Sequence, residues 1–467
     1  MKTTVLLYFV TIISICLFSK NNYAQVDSIT LTYKKYLENI INYHPVAKKA
    51  DLKIRLANAE TLAAKGNLDP QVEANWNQKN FEDKLYYQNY EAKLKLPTKL
   101  GIDVTGGYEN SNGNFVNPEN KIDNWGLWFL GVEVNVLQGL FVNNRTTALK
   151  QAKVFQQLAQ NEQQIILNDL VYDAATAYLI WQLYYQNNAI LENNTSIANT
   201  YFQNTKQTYL NGEKTAMDTL EAYILYQDAI GFLQNNEQYL IKARLNVQNY
   251  LWFNQQPAIL KDSTIPENYK NQFLPVIINN EAIDLVNHPV ILAAINKLSY
   301  IEIEQRLKRE KLKPKLKLKY NPLIGTSSNE EYPILSLNNF KWGFNFTMPL
   351  LFRTEKANLQ KGAIKIQEIQ LDLENKRNEL KNKIESSRQQ QQLLQLQINL
   401  ISENIEGYKR LLDGENIKFN FGESSVFLLN KRQEKFINGQ LKLIKTYIEQ
   451  QIELLNYLYF SNQLLAN

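Results

Sequence analysis

The sequence predicts a mainly α-helical protein with a smaller β-sheet portion, arranged as two structural repeats that each contain a long helical hairpin. Three observations support this fold class. The chain repeats its own pattern once, residues 143–210 contain neither proline nor glycine, and only 17 Gly and 12 Pro occur in 467 residues. Because these two residue types interrupt helices, so few of them favour long continuous helices over a series of small globular units.

The composition excludes several classes of protein. Hydrophobic residues make up 44% of the chain, with 27 Tyr, 20 Phe and 6 Trp, which is too much apolar surface for a disordered polymer. A single cysteine excludes a disulfide scaffold. The formal net charge of +5 is not concentrated in any run of Lys and Arg, so nucleic acid is not an expected partner.

The N-terminus predicts export from the cytoplasm. Lys2 precedes an apolar run from Val5 to Phe18, and cleavage after Ala24 would remove residues 1–24 as a signal peptide. The run is shorter than the ~20 residues that a membrane-spanning helix needs, and Ser14 and Ile15 before Cys16 do not suit lipid attachment. The mature chain then has no cysteine, and any later membrane crossing would have to use β-strands closed into a barrel.

The repeat is marked by two His-Pro-Val sequences and two later prolines. His44 and His288 are each followed by a helical stretch that ends at a second proline, Pro70 and Pro314, with the same separation. We predict helix-start turns at both histidines, since the residue before proline is restricted to extended geometry. The first repeat spans 25–254, with strands at about 70–137 and a helical hairpin at 143–253. The second spans 255–467, with a helix at 289–312, strands at about 314–349 and a hairpin at 353–460.

The predicted strands alternate between apolar and polar residues. Val132, Val134 and Val136 alternate with Glu133 and Asn135, as expected of a strand with two different faces. Aromatic residues near strand ends suit the headgroup level of a lipid-facing barrel, namely Trp76, Trp125, Trp128, Tyr320 and Trp342. A half-buried sheet of a soluble protein gives the same alternation, so this pattern leaves both alternatives open.

The first repeat carries about 32 extra residues between its strands, and they contain two further alternating segments, 90–96 and 102–105. About four strands per chain are expected without them. The two segments either add strands to the sheet or form an external hairpin, and the sequence leaves both possibilities open.

The long helices carry a heptad pattern. Apolar residues in the second hairpin recur at steps of four and three, at Leu394, Ile398, Ile401, Ile405, Tyr408 and Leu412. This spacing predicts supercoiled packing of one helix against a neighbour, with the remaining faces polar. A surface coiled coil would have the same pattern, so the spacing alone does not indicate a tunnel.

The sequence contains no constellation of catalytic residues. It has two histidines, no mature cysteine and no glycine-rich phosphate loop, so we expect no enzyme activity, no metal site and no cofactor. The carboxylates lie mostly on long helical stretches, where pairing with Lys or Arg one turn away is their usual role.

These motifs together resemble the TolC-like outer-membrane efflux protein family. The resemblance covers essentially the whole mature chain, and it consists of the His-Pro-Val sequences at 44 and 288, the prolines at 70 and 314, and the motifs around Gly212 and Gly422. It implies that three chains assemble, that their helices form an α-barrel tunnel across the periplasm, and that their strands close one β-barrel in the outer-membrane lipid of a Gram-negative bacterium. The implied function is a passive exit duct for drugs or other small molecules, in an efflux or type I secretion system with a periplasmic adaptor (membrane fusion) protein and an inner-membrane pump.

The resemblance also identifies candidate site residues. Gly212 and Gly422 would reverse the chain between long helices, with positive φ angles. The periplasmic tips that meet the adaptor would comprise Tyr209, Leu210, Asn211, Gly212, Glu213, Phe419, Asn420, Phe421, Gly422, Glu423, Ser424 and Ser425.

Asp218 would line the closed periplasmic entrance as a gate, whereas the second repeat has no acid in the corresponding segment, 424–431. Asp218 could equally be an ordinary charge at the start of the returning helix. The competing function is an exported helical-hairpin scaffold with no conduit.

Overall fold

The computed structural model describes residues 29–122, 126–270, 285–325 and 334–465. The signal peptide predicted at 1–24 and Trp125 lie outside the described residues, as does part of the strand region predicted at 314–349.

Seven α-helices occur in the described residues. They are α1 (Tyr33–Tyr43), α2 (Pro45–Gly66), α3 (Asn144–Leu210), α4 (Ala216–Asn249), α5 (Pro289–Glu310), α6 (Arg353–Asn420) and α7 (Val426–Phe460). The helices α3 and α6 are continuous over 67 and 68 residues, and each is joined by a short turn to α4 or α7. Nearly all of their stability must come from packing, because propensity alone supports helices of this composition weakly.

The prolines and histidines begin α2 and α5 as the sequence predicts. His44 and His288 are the N-caps, with extended backbone, and Nδ1 of each ring accepts a hydrogen bond of 3.2 Å from the backbone N–H of Val46 or Val290. Proline occupies the first helical position in both cases, where its missing N–H costs nothing. The structural interpretation of the two histidines is therefore confirmed.

The strands are β1 (Ile29–Leu31), β2 (Gln71–Phe81), β3 (Lys84–Pro97), β4 (Ile102–Asn112), β5 (Leu127–Asn135), β6 (Trp252–Phe253), β7 (Gln256–Pro257), β8 (Thr264–Pro266), β9 (Lys315–Gly325) and β10 (Ile334–Thr347). Within the described residues, six of them form one antiparallel sheet in the order β10-β9-β5-β4-β3-β2. The inserted segments are β3 and β4, and they lie inside the sheet between β2 and β5. The inserted segments thus add two strands to the four expected without them, and the external hairpin does not form.

Two compact units make up the described chain, and each contains segments from both sequence halves. The first contains 29–40, 174–270 and 396–451, and the second contains 41–173, 285–395 and 452–465. The sheet belongs entirely to the second unit, whereas both helix-to-helix turns belong to the first.

Three aromatic rings pack together in the first unit. Tyr36, Tyr178 and Trp181 are almost fully buried, with ring centroids 5.3 Å apart for Tyr36 and Tyr178 and 5.7 Å apart for Tyr178 and Trp181. The Tyr178 hydroxyl donates to the Leu31 carbonyl at 2.5 Å and accepts from the Glu267 N–H at 2.9 Å. These bonds anchor the short parallel pair of β1 and β8 to α3, because they satisfy polar groups that burial would otherwise leave unpaired.

The heptad residues of α6 are buried or half-buried, as the pattern predicts, while most of the residues between them are exposed. In the first unit, Gly439 of α7 lies against this row, where an added Cβ would be 3.1 Å from Ile405 and 3.3 Å from Tyr408. The absence of a side chain therefore permits close approach of α7 to the heptad residues of α6.

Candidate functional site

Both hairpins reverse direction through the same helix-ending motif. After α3, the Gly212 N–H donates to the Tyr209 carbonyl at 2.9 Å and the Glu213 N–H donates to the Thr208 carbonyl at 3.0 Å. Gly212 has a φ of 81°, the left-handed conformation that glycine adopts without steric cost. This pair of hydrogen bonds is a Schellman motif, and it satisfies two carbonyls at the helix end.

The second turn repeats the geometry of the first. The Gly422 N–H donates to the Phe419 carbonyl at 3.0 Å, the Glu423 N–H donates to the Lys418 carbonyl at 2.9 Å, and Gly422 has a φ of 76°. The positive φ angles predicted at both glycines are thus observed. Apart from the adjacent residues, no atom lies within 4 Å of the position that a Cβ would take at either glycine. Glycine is therefore favoured here by the backbone conformation and not by a lack of space.

The returning helices start with related but unequal caps. In α4, Thr215 Oγ1 accepts a hydrogen bond of 3.2 Å from the Asp218 N–H, and Asp218 Oδ2 accepts one of 3.0 Å from the Thr215 N–H. In α7, Ser425 Oγ accepts a hydrogen bond of 3.2 Å from the Leu428 N–H, and Leu428 has no group to return one. The first hairpin therefore has a complete capping box, and the second has half of one.

The capping box explains the ionisation of Asp218. The backbone N–H and then the hydroxyl of Thr215 stabilise the carboxylate, which lowers the pKa of Asp218 below its usual 3.8. Asp218 is therefore anionic at neutral pH. This geometry is the one expected of the alternative in which Asp218 is a charge at the start of the returning helix.

The structure brings the two turns close together in the first unit. The Lys214 ammonium lies 4.9 Å from the centroid of the Phe419 ring, and the centroid of the Tyr201 ring lies 5.7 Å from the same point. Tyr201 also donates from its hydroxyl to Asn416 Oδ1 at 3.0 Å. Contacts from α3 and from the turn after it thus fix the end of α6.

Several apolar side chains of the predicted tips remain exposed. Phe421 is 78% exposed, and Tyr209 and Leu210 are exposed at the end of α3. Met217 and Phe427 add exposed apolar surface at the first turns of α4 and α7. Exposed apolar clusters of this kind are typical of surfaces that bind a partner.

One ion pair at the second turn was not anticipated from the sequence. Glu415 of α6 accepts from the Ser424 hydroxyl at 2.5 Å, and its other oxygen lies 3.5 Å from Arg432 Nε of α7. These contacts tie the two helices together across the turn. The only indication of this ion pair in the sequence is that residues of opposite charge lie on the two sides of Gly422. The sequence contains many such pairs, so this one could not be singled out.

A groove lies beside the turns, within the first unit. It has a volume of about 600 Å³ and is lined by α3, α4 and α7. Its apolar lining includes Leu191, Ile224, Phe232, Phe427 and Ile437, while Glu221, Asp228 and Lys431 add charges. An apolar groove between helices suits a further helix packed lengthwise.

The six-stranded sheet has one exposed apolar face. Cross-strand partners on this face are apolar pairs such as Leu94 with Val72, Val132 with Val104, and Phe344 with Leu318. Trp342 and Phe344 are 67% and 65% exposed. An apolar area that spans all six strands is much larger than soluble proteins usually expose.

The opposite face carries paired charges. Asp103 is 3% exposed, and its two oxygens lie 2.6 Å from Arg145 Nη1 and 3.3 Å from Lys95 Nζ. Glu133 pairs with Lys317 and Lys319. Further pairs on this face join Glu73 to Lys93 and Glu109 to Lys341. This face is therefore polar, and the paired groups named here include six cations and four carboxylates.

None of the helices in the described ranges combines the length and hydropathy needed to cross a membrane. The described residues also contain no group of three or more His, Cys, Asp or Glu placed to hold a metal ion.

Solved structures share this fold. The Campylobacter jejuni CmeC outer membrane channel matches with a TM-score of 0.66 and 12% sequence identity, over 92% of this chain and 85% of that chain. The outer membrane protein VceC from Vibrio cholerae has a TM-score of 0.67 and 13% identity, over 92% and 95%. The open state of the Neisseria gonorrhoeae MtrE outer membrane channel has a TM-score of 0.58 and 14% identity, over 94% and 92%.

No family model matches the sequence, and no curated protein matches it. At the identities found, the similarity to the solved channels establishes the fold. The predicted TolC-like fold is confirmed.

Proposed function

We propose that this chain, which has the TolC-like fold, is the outer-membrane channel component of an efflux or type I secretion system. It would serve as a passive exit duct for drugs or other small molecules and would catalyse no reaction. The observation that carries the proposal is the sheet, which has an exposed apolar face on one side and paired charges on the other. A sheet that separates lipid from water needs an apolar face towards the lipid and a polar face towards the water.

The apolar face suits outer-membrane lipid. Exposure of side chains as large as Trp342 and Phe344 is unfavourable in water, and its free-energy cost is small only where the surroundings are apolar. A row of neighbouring aromatic rings crosses β2 to β5 through Trp76, Tyr90, Tyr108 and Trp128. Amphipathic rings of this kind favour the headgroup level of a membrane. The helical part would then lie in the periplasm.

The open edges of the sheet require further copies of the chain. The backbone groups of an unpaired edge strand cannot be left unsatisfied in lipid, so the strands must close into a ring. A homotrimer closes the ring through three copies of the sheet, in line with the assembly that the family resemblance implies. The lumen would be lined by the polar face.

The turns after α3 and α6 would form the periplasmic end of the duct. Their exposed apolar residues and the adjoining groove offer a surface for a helical hairpin of a periplasmic adaptor, which would connect the duct to an inner-membrane pump. A neighbouring copy of the chain is the other occupant that would fit the groove. Crosslinks from Phe232→Cys to adaptor rather than to a second copy would distinguish the two.

Asp218 would line the entrance near these turns. Three symmetry copies of an anionic side chain around a narrow opening would attract cations and concentrate them there. The capping box does not conflict with this role, because it holds the carboxylate in its charged form.

Membrane fractionation combined with dye efflux tests the proposal. We expect the protein in outer membranes after an alkaline wash, soluble only in detergent, and we expect cells that lack it to retain ethidium. Gly422→Val should assemble but fail to restore efflux, while Gly414→Ala, a change within α6, should restore it. A protein released by alkali would instead indicate the scaffold without a conduit.

A further inference from the structure

We propose that the inserted strands β3 and β4 widen the membrane wall, so that each copy contributes six strands and β2 of one copy pairs with β10 of the next. This inference rests on the proposed function, because it concerns the width of the same duct. Its consequence is a membrane segment that admits bulkier solutes than a wall with four strands per copy would.

The insertion is a full part of the sheet. Paired residues run from Gln71 with Lys95 to Phe81 with Lys84 between β2 and β3, and from Gln88 with Asn112 to Pro97 with Asp103 between β3 and β4. The pairing of β4 with β5 continues over eight residue pairs, from Ile102 to Glu109. An appended hairpin would keep its own pairing of β3 with β4 but would lack the pairing with β2 or the pairing with β5.

Both chemical faces continue across the inserted strands. On the apolar face, the ring centroids of Trp76 and Tyr90 are 6.1 Å apart, those of Tyr90 and Tyr108 are 6.2 Å apart, and those of Tyr108 and Trp128 are 4.9 Å apart. On the polar face, Lys93 of β3 pairs with Glu73 of β2. The apolar face and the polar face thus both extend without a break from β2 through β3 and β4. Strands outside the membrane wall would have no need of an apolar face on one side and a polar face on the other.

The two edges of the sheet are complementary. Residues of β2 and of the described part of β10 are exposed along nearly the whole of each strand. Neighbouring strands in the sheet alternate in direction, and six is an even number, so β10 of one copy and β2 of the next run antiparallel. Pairing at this junction would therefore continue the pattern of the sheet and keep every apolar face on the outside.

The strand number sets the width of the wall. Barrel diameter grows roughly in proportion to the number of strands, and barrels of about 16–18 strands leave an aqueous channel. Six strands from each of three copies give about 18 strands, whereas four strands from each would give about 12. The insertion would thus enlarge the diameter by about half.

The test compares the full chain with a chain that lacks residues 84–112, which contain β3 and β4. The deletion leaves β2 and β5 antiparallel and joined by a loop, so the four remaining strands can still pair. Both chains carry Asn345→Cys on the polar face of β10, and this is the sole cysteine after removal of the predicted signal peptide. Polyethylene glycol maleimides of graded size are added to outer membranes that contain the trimer.

We expect the largest reagent that labels the full chain to be about one and a half times as wide as the largest that labels the deletion variant. Equal size limits in two folded trimers would overturn the inference and leave the duct intact. Phe344→Cys is the matched control, since it lies beside Asn345 on the apolar face. Equal labelling of Phe344→Cys and Asn345→Cys would instead contradict the membrane location, and with it the proposed function.

A crosslinking experiment in the full chain covers the case in which the deletion variant does not fold. Gly343→Cys has open space around the new side chain and lies on the polar face of β10. Asn75→Cys of β2 is combined in turn with Lys341→Cys, Gly343→Cys and Asn345→Cys of β10, because these three positions cover different pairing registers between the two strands. One of the three combinations should give covalently linked copies after oxidation. Glu91→Cys of β3 should link to none of them. Links from Glu91→Cys to another copy would show that β3 is an edge, which would overturn the inference.

Discussion

Thr215 and Asp218 cap each other, since the side chain of each accepts a hydrogen bond from the backbone N–H of the other, at 3.2 and 3.0 Å. The same carboxylate also accepts from the Thr215 hydroxyl at 2.8 Å. The residue proposed as an acidic gate is therefore also the residue that starts the helix returning from the first turn. Any experiment on Asp218 has to separate its charge from its capping role.

Asp218→Asn should relieve the block of single-channel current by a divalent cation added on the periplasmic side, because three copies of the carboxylate would no longer attract the ion. The change should cost only ~0.3–1 kcal/mol of helix stability, since an amide oxygen still accepts a hydrogen bond. Planar-bilayer recordings with added divalent cation measure the block.

Thr215→Ala is the matched control for that experiment. It removes the cap, at a cost of ~0.5–2 kcal/mol, and leaves the carboxylate in place. Cation block should therefore persist in Thr215→Ala. If the wild type and Asp218→Asn are blocked equally, Asp218 has no gate role and serves only as a cap.

The two turn glycines should respond differently from a glycine inside a helix. Gly422→Ala forces a side chain into a left-handed backbone and should destabilise the turn by ~1–2 kcal/mol. Gly414→Ala, in α6, should instead stabilise the helix by ~0.5–1 kcal/mol, because space is available and alanine favours helix. Hydrogen exchange of the peptide that contains 415–428 measures both changes, and faster exchange in Gly414→Ala would contradict this account.

His288 should make stability depend on pH. Burial lowers the pKa of His288 below its usual 6.5, so the unfolded chain takes up a proton at a higher pH than the folded chain does. The free energy of unfolding should therefore fall as the pH drops through 6.5 towards the lowered pKa. Thermal unfolding of the purified protein between pH 8 and pH 5 measures this dependence.

His288→Asn is the control for the pH dependence, because asparagine accepts the Val290 N–H at an N-cap but does not titrate. The fall in melting temperature below pH 6.5 should be smaller in this variant. His288→Ala should lose ~0.5–2 kcal/mol at every pH, since it removes the cap itself. An unchanged pH profile in His288→Asn would exclude His288 as the source.

Local features of this fold could be predicted from the sequence, and pairings distant in sequence could not. The helix starts at His44 and His288 and the turns at Gly212 and Gly422 depend on backbone geometry within a few residues, so single residue types reveal them. The place of β3 and β4 depends on which strands they meet, and an alternating segment fits a sheet or an external hairpin equally well. The contact of Glu415 with Arg432 likewise depends on how α6 and α7 pack.

The two sheet faces should differ sharply in their tolerance of charge. Phe344→Lys places an ammonium on the apolar face and should cost ~2–4 kcal/mol if that face meets the middle of a lipid bilayer. Asn345→Lys, at the next residue, faces the opposite side and should be nearly neutral. The yield of folded protein in outer membranes measures both, and equal yields would argue against lipid contact.

In the proposed function, the polar face of the sheet lines a water-filled duct through the outer membrane. Single-channel current through the purified protein in planar bilayers, recorded while a bulky water-soluble maleimide is added, tests this role most directly. With Asn345→Cys the account predicts a steady current that falls when the reagent reacts, while the current through Phe344→Cys stays unchanged. No current from the folded protein, or an equal fall in both variants, would contradict the claim.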